Sequence, residues 1–150
     1  MSERHGETIV ITHHYADLDA LASMVGAARL YGGTPAKGRA IHPMVRNYLA
    51  LHKDHFPLVP YDQIDPELVE RVIVVDVRDQ RRLSEYEPIF ERDPEIIVYD
   101  HHPATPHDLA SQQTYVEPTG SCATMMVERL RQGSSELGMT TAEATLLLLG

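Results

Sequence analysis

Three short stretches of this chain concentrate carboxylates and imidazoles: His13, His14, Asp17 and Asp19 in the first, Asp76 in the second, and Asp100, His101 and His102 in the third. Carboxylate oxygens with a minority of imidazoles suit manganese or magnesium better than a thiolate-bound ion. Two such cations, about 3.5–4 Å apart, can clamp a phosphate and activate a bridging water. Asp17 and Asp19 flank a single residue, so one could face each cation, and Asp76 is placed to bridge both. Each group also has an ordinary use. Asp17 or Asp19 could simply cap a helix, adjacent histidines on a loop are usually solvated, and Asp76 could end its strand in a turn.

The elements that must position these groups weigh against the ordinary uses. Thr8-Ile9-Val10-Ile11-Thr12, Val72-Ile73-Val74-Val75 and Ile96-Ile97-Val98-Tyr99 are short, apolar and largely β-branched, as strands buried on both faces are. Each is followed directly by one of the three stretches. Ala20, Leu21, Met24, Val25 and Ala28 recur at helical spacing, with a left-handed stop available at Gly32-Gly33. A second strand is expected around Arg39-Ala40-Ile41, a helix over Val45–Leu51, and loop through the proline-punctuated 57–66. Further helical material falls near Leu83–Phe90, a short strand at Thr114-Tyr115-Val116, and a helix over Cys122–Leu130 that turns Met125, Met126, Val127 and Leu130 inward. Alternating buried strands and helices predict one three-layer α/β domain with a mostly parallel sheet. Ligands of such sheets bind beyond the carboxyl ends of the strands, where all three acidic and histidine-bearing stretches fall.

The chain has 150 residues, 43% of them hydrophobic, enough for one domain with a buried core. A formal net charge of −9 argues against a broad basic surface for nucleic acid, but not against a nucleotide substrate, since bound cations reverse the local sign. Cys122 is the only cysteine, so no intrachain disulfide forms. The polar residues 2–7 do not resemble a signal peptide and no segment approaches transmembrane length, so a cytoplasmic protein is expected. The run Leu146–Leu149 at the C-terminus calls for burial, and suggests a fragment whose missing part continues the same domain. His5, His52, His55 and His107 fit no pattern and are read as surface residues.

The stretch Thr12-His13-His14-Tyr15-Ala16-Asp17-Leu18-Asp19-Ala20-Leu21-Ala22-Ser23 resembles the first motif of the DHH phosphoesterase family. Val74-Val75-Asp76 resembles its second motif, Asp100-His101-His102-Pro103 the eponymous third, and Gly120-Ser121-Cys122-Ala123-Thr124 the fourth. That family includes RecJ-type exonucleases, small-oligoribonucleotide phosphatases, cyclic-dinucleotide phosphodiesterases and family II pyrophosphatases. The first motif is similar to the version fused ahead of CBS repeats and a tRNA nucleotidyltransferase resembling poly(A) polymerase.

The resemblance implies two divalent cations, with manganese favoured over magnesium. His13, Asp17 and Asp76 would hold the first, and Asp19, Asp76 and His101 the second. His102 would face the phosphate, and Asp100 would orient a neighbouring histidine. The resemblance also implies one further aspartate and a smaller substrate-binding domain, neither of which has a counterpart in residues 1–150. The expected activity is hydrolysis of a nucleotide or a short RNA or DNA end, by a protein off the membrane that could form a homodimer. A manganese-dependent inorganic pyrophosphatase and a non-catalytic module of a larger tRNA-processing polymerase are the rival readings. Gly120 and Ser121 could offer backbone donors to a phosphate, but close packing at Gly120 with Ser121 as a cap is the preferred reading. Arg46, Arg78, Arg81 and Arg82 could bind phosphate, although exposed arginines are usually just solvated.

Overall fold

The structure, a computed structural model, describes residues 8–133 and 138–150; His5 lies outside them. The β-branched runs form the centre of a parallel sheet: β1 (Thr8–Ile11), β4 (Arg71–Val75) and β5 (Glu95–Asp100). Joined by β2 (Thr34–Lys37), β3 (Val59–Pro60) and β6 (Gln113–Val116), they make six parallel strands in the order β3-β2-β1-β4-β5-β6. Successive side chains alternate between faces. Val10, Ile73, Val75, Ile97 and Tyr99 enter one core, and Ile9, Ile11, Val72, Val74, Ile96 and Val98 the other.

The first core is covered by α1 (Leu18–Tyr31), α2 (Pro43–His52), α4 (Cys122–Gly133) and α5 (Thr141–Leu149). Helix α1 is buried from Ala20 to Ala27 because it packs between the sheet and the α4–α5 pair. It stops where expected, at Gly32, whose φ of 68° gives the left-handed cap. The second core is closed by lighter material: short 3₁₀ turns, a 3₁₀ stretch over Gln80–Tyr86 kinked at Leu83, and the single-turn α3 (Glu87–Phe90).

Two expectations about boundaries fail. The second strand is Thr34–Lys37, not residues 39–41; Ile41 makes only an isolated bridge to Ala16. Its sequence, Thr-Pro-Ala-Lys, carries no β-branched apolar run and contains a proline, which normally demotes a strand. It is drafted because Gly32 and Gly33 turn the chain straight back beside β1, pairing Ile9 with Thr34 and Val10 with Pro35. The stretch 57–66, expected to be mostly loop, instead holds the two-residue edge strand β3, the 3₁₀ turn Tyr61–Gln63 and the start of another at Pro66. At the C-terminus only Leu146 and Leu147 are buried, while Leu148 and Leu149 are exposed. Four consecutive helical positions sweep most of the way round the axis, so one helix face cannot bury all four. Among the described residues no helix is long and apolar enough to cross a membrane.

The α1–α4 contact fixes where the two helix N-termini sit, and it turns on Gly26. A Cβ there would lie 2.7 Å from Met126 Cβ, an atom too close to the backbone to swing away. Overpacking costs about 1–3 kcal/mol, against at most about 1 kcal/mol gained in helix propensity. Gly26→Ala should therefore lower the Tm in thermal unfolding; an unchanged or raised Tm would contradict this packing.

Candidate metal centre

The strand order reverses between β1 and β4, and the crevice at that switch point is where the acidic and histidine residues meet. Ile11 pairs with Val74, so His13 and Asp76, each two residues further on, leave neighbouring strands at the same level. The Thr12 hydroxyl donates to the Val75 carbonyl at 2.7 Å and ties the two strand ends together. Val75 pairs in turn with Tyr99, which brings the loop after β5 alongside.

Asp76 is the hub. It is 2% exposed and sits in the left-handed region, with φ 60°, a conformation a short polar side chain tolerates better than most. Its Oδ2 lies 3.5 Å from His13 Nε2, and its Oδ1 lies 3.2 Å from His101 Nε2. Despite its burial, Oδ1 accepts no hydrogen bond. Burial pushes the Asp76 pKa up and the charges of Asp19 and Asp17 add to the shift, outweighing the opposite pull of His13. Burial opposes protonation of His13, as does the charge of Arg82. The hydrogen bonds to Asp76 and to the His14 carbonyl prevail, and its pKa is raised.

Both histidines are fixed in orientation by carbonyls. His13 Nδ1 faces the His14 carbonyl at 2.9 Å, and His101 Nδ1 faces the Thr119 carbonyl at 3.2 Å. A carbonyl only accepts, so each Nδ1 carries a proton, and each Nε2, the atom that faces Asp76, is the one a metal ion would take. His13, Asp17 and Asp76 form one group whose ligand atoms lie within 4.8 Å of one another, and Asp76, His101 and His102 form another. Either group could hold a metal ion. A buried carboxylate whose two oxygens face different imidazoles, one oxygen lacking a donor, has the chemistry of a bridging ligand.

The two aspartates of the first motif diverge. Asp17 does cap its own helix, accepting from Ala20 N–H at 2.9 Å through Oδ1. Asp19 caps a different one. Its Oδ2 accepts from Cys122 N–H at 3.1 Å and its Oδ1 from Ala123 N–H at 2.8 Å, at the N-terminus of α4. Its Oδ2 is also 3.4 Å from His101 Nε2. Capping consumes one lone pair on an oxygen and leaves another, so cap and metal ligand are compatible roles. The first two N–H groups of α4, those of Cys122 and Ala123, are thus spent on Asp19 rather than on a ligand. Ser121 Oγ receives Thr124 N–H, as a cap does, but a Cβ on Gly120 would meet nothing within 4 Å, so close packing does not explain that glycine.

Asp100 is buried and fully engaged. Its Oδ1 accepts from His101 N–H, His102 N–H and the His102 ring Nδ1 at 2.6 Å, and its Oδ2 accepts from Arg78 Nε at 3.2 Å. It therefore orients His102, whose side chain is 46% exposed at the mouth of the crevice. Sequence reasoning missed the partner in this arrangement. Arg78, flagged only as a phosphate binder, turns inward instead and also donates to the His102 carbonyl at 2.6 Å. Its position two residues after Asp76 is the only trace it leaves in the sequence. Cys122 is buried, with a thiol pushed up to about 12 by burial, and is no nucleophile. His52 is half-buried against Tyr48, while His55 and His107 are exposed as expected.

Without a cation the Asp76 carboxylate costs stability. Its raised pKa means that the folded chain holds the proton more readily than the unfolded one, so ionisation destabilises the fold as pH rises from the ordinary carboxylate range through the raised value. With metal chelated at pH 7, Asp76→Asn should therefore stabilise the protein. That gain should shrink below about pH 4, where both states are protonated. Denaturant titrations at the two pH values check this; a destabilised Asp76→Asn at pH 7 would contradict it.

The sequence profile of the DHH family, N-terminal domain, matches residues 8–150. An A-adding tRNA nucleotidyltransferase of Geobacter sulfurreducens is 28% identical over 145 residues, and one of Aquifex aeolicus 29% over 143, each match covering 95% of this chain. The chain spans only 16% of the length of either relative. Among solved structures, an exopolyphosphatase-related protein from Bacteroides fragilis superposes with a TM-score of 0.74 at 16% identity, covering 97% of this chain and 45% of that one. A candidate family II inorganic pyrophosphatase from Methanococcus jannaschii superposes at 0.68 with 23% identity, covering 94% and 46%. At those identities the superpositions establish a shared α/β fold. With the profile matching nearly the whole of this chain and the strand-end motifs gathered at one crevice, the chain belongs to the DHH family, as that family's N-terminal domain.

Proposed function

We propose that this chain is the catalytic domain of a phosphoesterase that hydrolyses a nucleotide or a short nucleic acid end with two divalent cations, preferably manganese. The observation that carries this reading is Asp76: buried, with one oxygen toward His13, the other toward His101, and no donor on the second. His13 Nε2, Asp17 and Asp76 Oδ2 would hold one cation, and His101 Nε2, Asp19 and Asp76 Oδ1 the other. The grouping of His102 with Asp76 and His101 offers an alternative to Asp19. Asp19 is preferred because His102 Nδ1 is committed to Asp100 at 2.6 Å and lies 3.9 Å from Asp76.

The cations would supply Lewis acidity toward the phosphate and lower the pKa of water at neutral pH. The protein's own contribution is position. His13 and His101 are held in a single tautomer by backbone carbonyls, so no reorientation is needed to bind. His102, steadied through Nδ1 by Asp100, would turn its outer nitrogen toward a phosphate oxygen or leaving group. Arg78 would keep Asp100 aimed.

The names of the two bacterial relatives support a second reading, in which the chain serves tRNA ends as one module of a much larger nucleotidyltransferase-like protein. One assay separates the possibilities: manganese-dependent hydrolysis of a 5′-phosphorylated diribonucleotide, pyrophosphate and a tRNA, with Asp76→Asn beside the wild type. The expected result is turnover of the dinucleotide that falls by at least about 10²-fold in the variant, the scale on which key electrostatic groups act. Manganese binding without turnover of any substrate would favour the non-catalytic module, and undiminished turnover by Asp76→Asn would sink the bridging assignment.

A further inference from the structure

A cleft of about 320 Å³ opens beside His102, between the 3₁₀ stretch after β4 and the loop after β5. Among its walls are Val77, Arg78, Asp79, Arg82, Pro103 and Asp108. Most of its charge is already spoken for. Arg78 is consumed by Asp100, Asp108 and the His102 carbonyl. Asp79 takes a two-pronged grip from the Arg81 side chain, at 3.0 and 2.6 Å. Asp108 Oδ1 accepts from Thr105 Oγ1 at 2.9 Å.

Arg82 is different. Its backbone is fixed at both ends: its N–H donates to the Asp79 carbonyl at 3.0 Å, and its own carbonyl accepts from His14 N–H at 3.1 Å. It is therefore stitched to the loop that carries His13. Its side chain, by contrast, is exposed and engages no carboxylate among the described residues. In a chain of net charge −9, a cation anchored at the catalytic loop, lining a cleft shared with His102 and left unneutralised, is placed for an anion rather than for solvent. The planar guanidinium fork matches a phosphate, singly or doubly charged.

We infer that Arg82 binds a second phosphate of the substrate, the one neighbouring the scissile group, in this cleft. The inference rests on the phosphoesterase reading above and extends it: the site selects substrates carrying two phosphates over simple monoesters. It assigns Arg82 to substrate binding and releases Arg78 and Arg81 from that role.

The test is calorimetric binding, in manganese, of three hydrolysis-resistant probes: methylphosphonate, methylenediphosphonate and a phosphorothioate dinucleotide with a 5′-thiophosphate. The proteins are wild type, Arg82→Ala, Arg82→Lys and, as a control on an exposed arginine at the far end of α4, Arg131→Ala. At least one probe with two phosphorus groups should bind wild type more tightly than methylphosphonate. Arg82→Ala should weaken that probe about tenfold or more, as loss of a charge-assisted contact does, with less than about a twofold change for methylphosphonate. Arg82→Lys should recover part of the loss, and Arg131→Ala should match wild type. Equal weakening of all probes by Arg82→Ala, or none, overturns the inference. If wild type hydrolyses a dinucleotide while Arg82→Ala binds every probe normally, this inference fails alone. If binding depends on Arg82 but nothing is hydrolysed, the phosphoesterase reading fails alone. No binding of any probe by wild type overturns both.

Discussion

A carboxylate buried at the end of β4 governs this structure. Asp76 lies where six parallel strands reverse their order, its charge removed from water and its pKa raised. Burying an unpaired carboxylate costs several kcal/mol unless positive charge or donors compensate. The chain supplies few donors. One oxygen has His13 at 3.5 Å, longer than a good hydrogen bond, and the other has none. Two further carboxylates, Asp17 and Asp19, raise the cost. An arrangement that gathers like charges and withholds donors makes sense when cations complete it.

The surroundings are built to keep that hub in register. Thr12 clamps the ends of β1 and β4, the carbonyls of His14 and Thr119 select the histidine tautomers, and Arg78 binds Asp100 to the loop that follows β5. Asp19 joins the centre to the α1–α4 pair, because the carboxylate beside His101 also receives the first N–H groups of α4. Packing at Gly26 and Met126 thus reaches the centre through a helix N-terminus. The fourth motif acts on the site through Asp19 and α4.

Much of this was legible in the sequence because the strongest patterns coincide with the most buried elements. The β-branched runs of β1, β4 and β5 announce a parallel sheet, and the polar residues after each announce its ligand edge. Strand β2 was not legible, since Thr-Pro-Ala-Lys becomes a strand only through pairing with β1. The run Leu146–Leu149 misled because composition carries no phase around a helix. Among the polar groups, residue type foretold which side chains would gather at the crevice, but not which partners they would take. The inward turn of Arg78 and the bond from α4 to Asp19 link residues 22 and more than 100 positions apart, and no local pattern encodes such contacts.

The most direct test of the central claim is anomalous diffraction at the manganese edge from crystals soaked in manganese. The account predicts two peaks about 3.5–4 Å apart, one within bonding distance of His13 Nε2 and Asp76 Oδ2, the other of His101 Nε2 and Asp76 Oδ1. A single peak that leaves one Asp76 oxygen unbound, or manganese bound only away from Asp76, would contradict it.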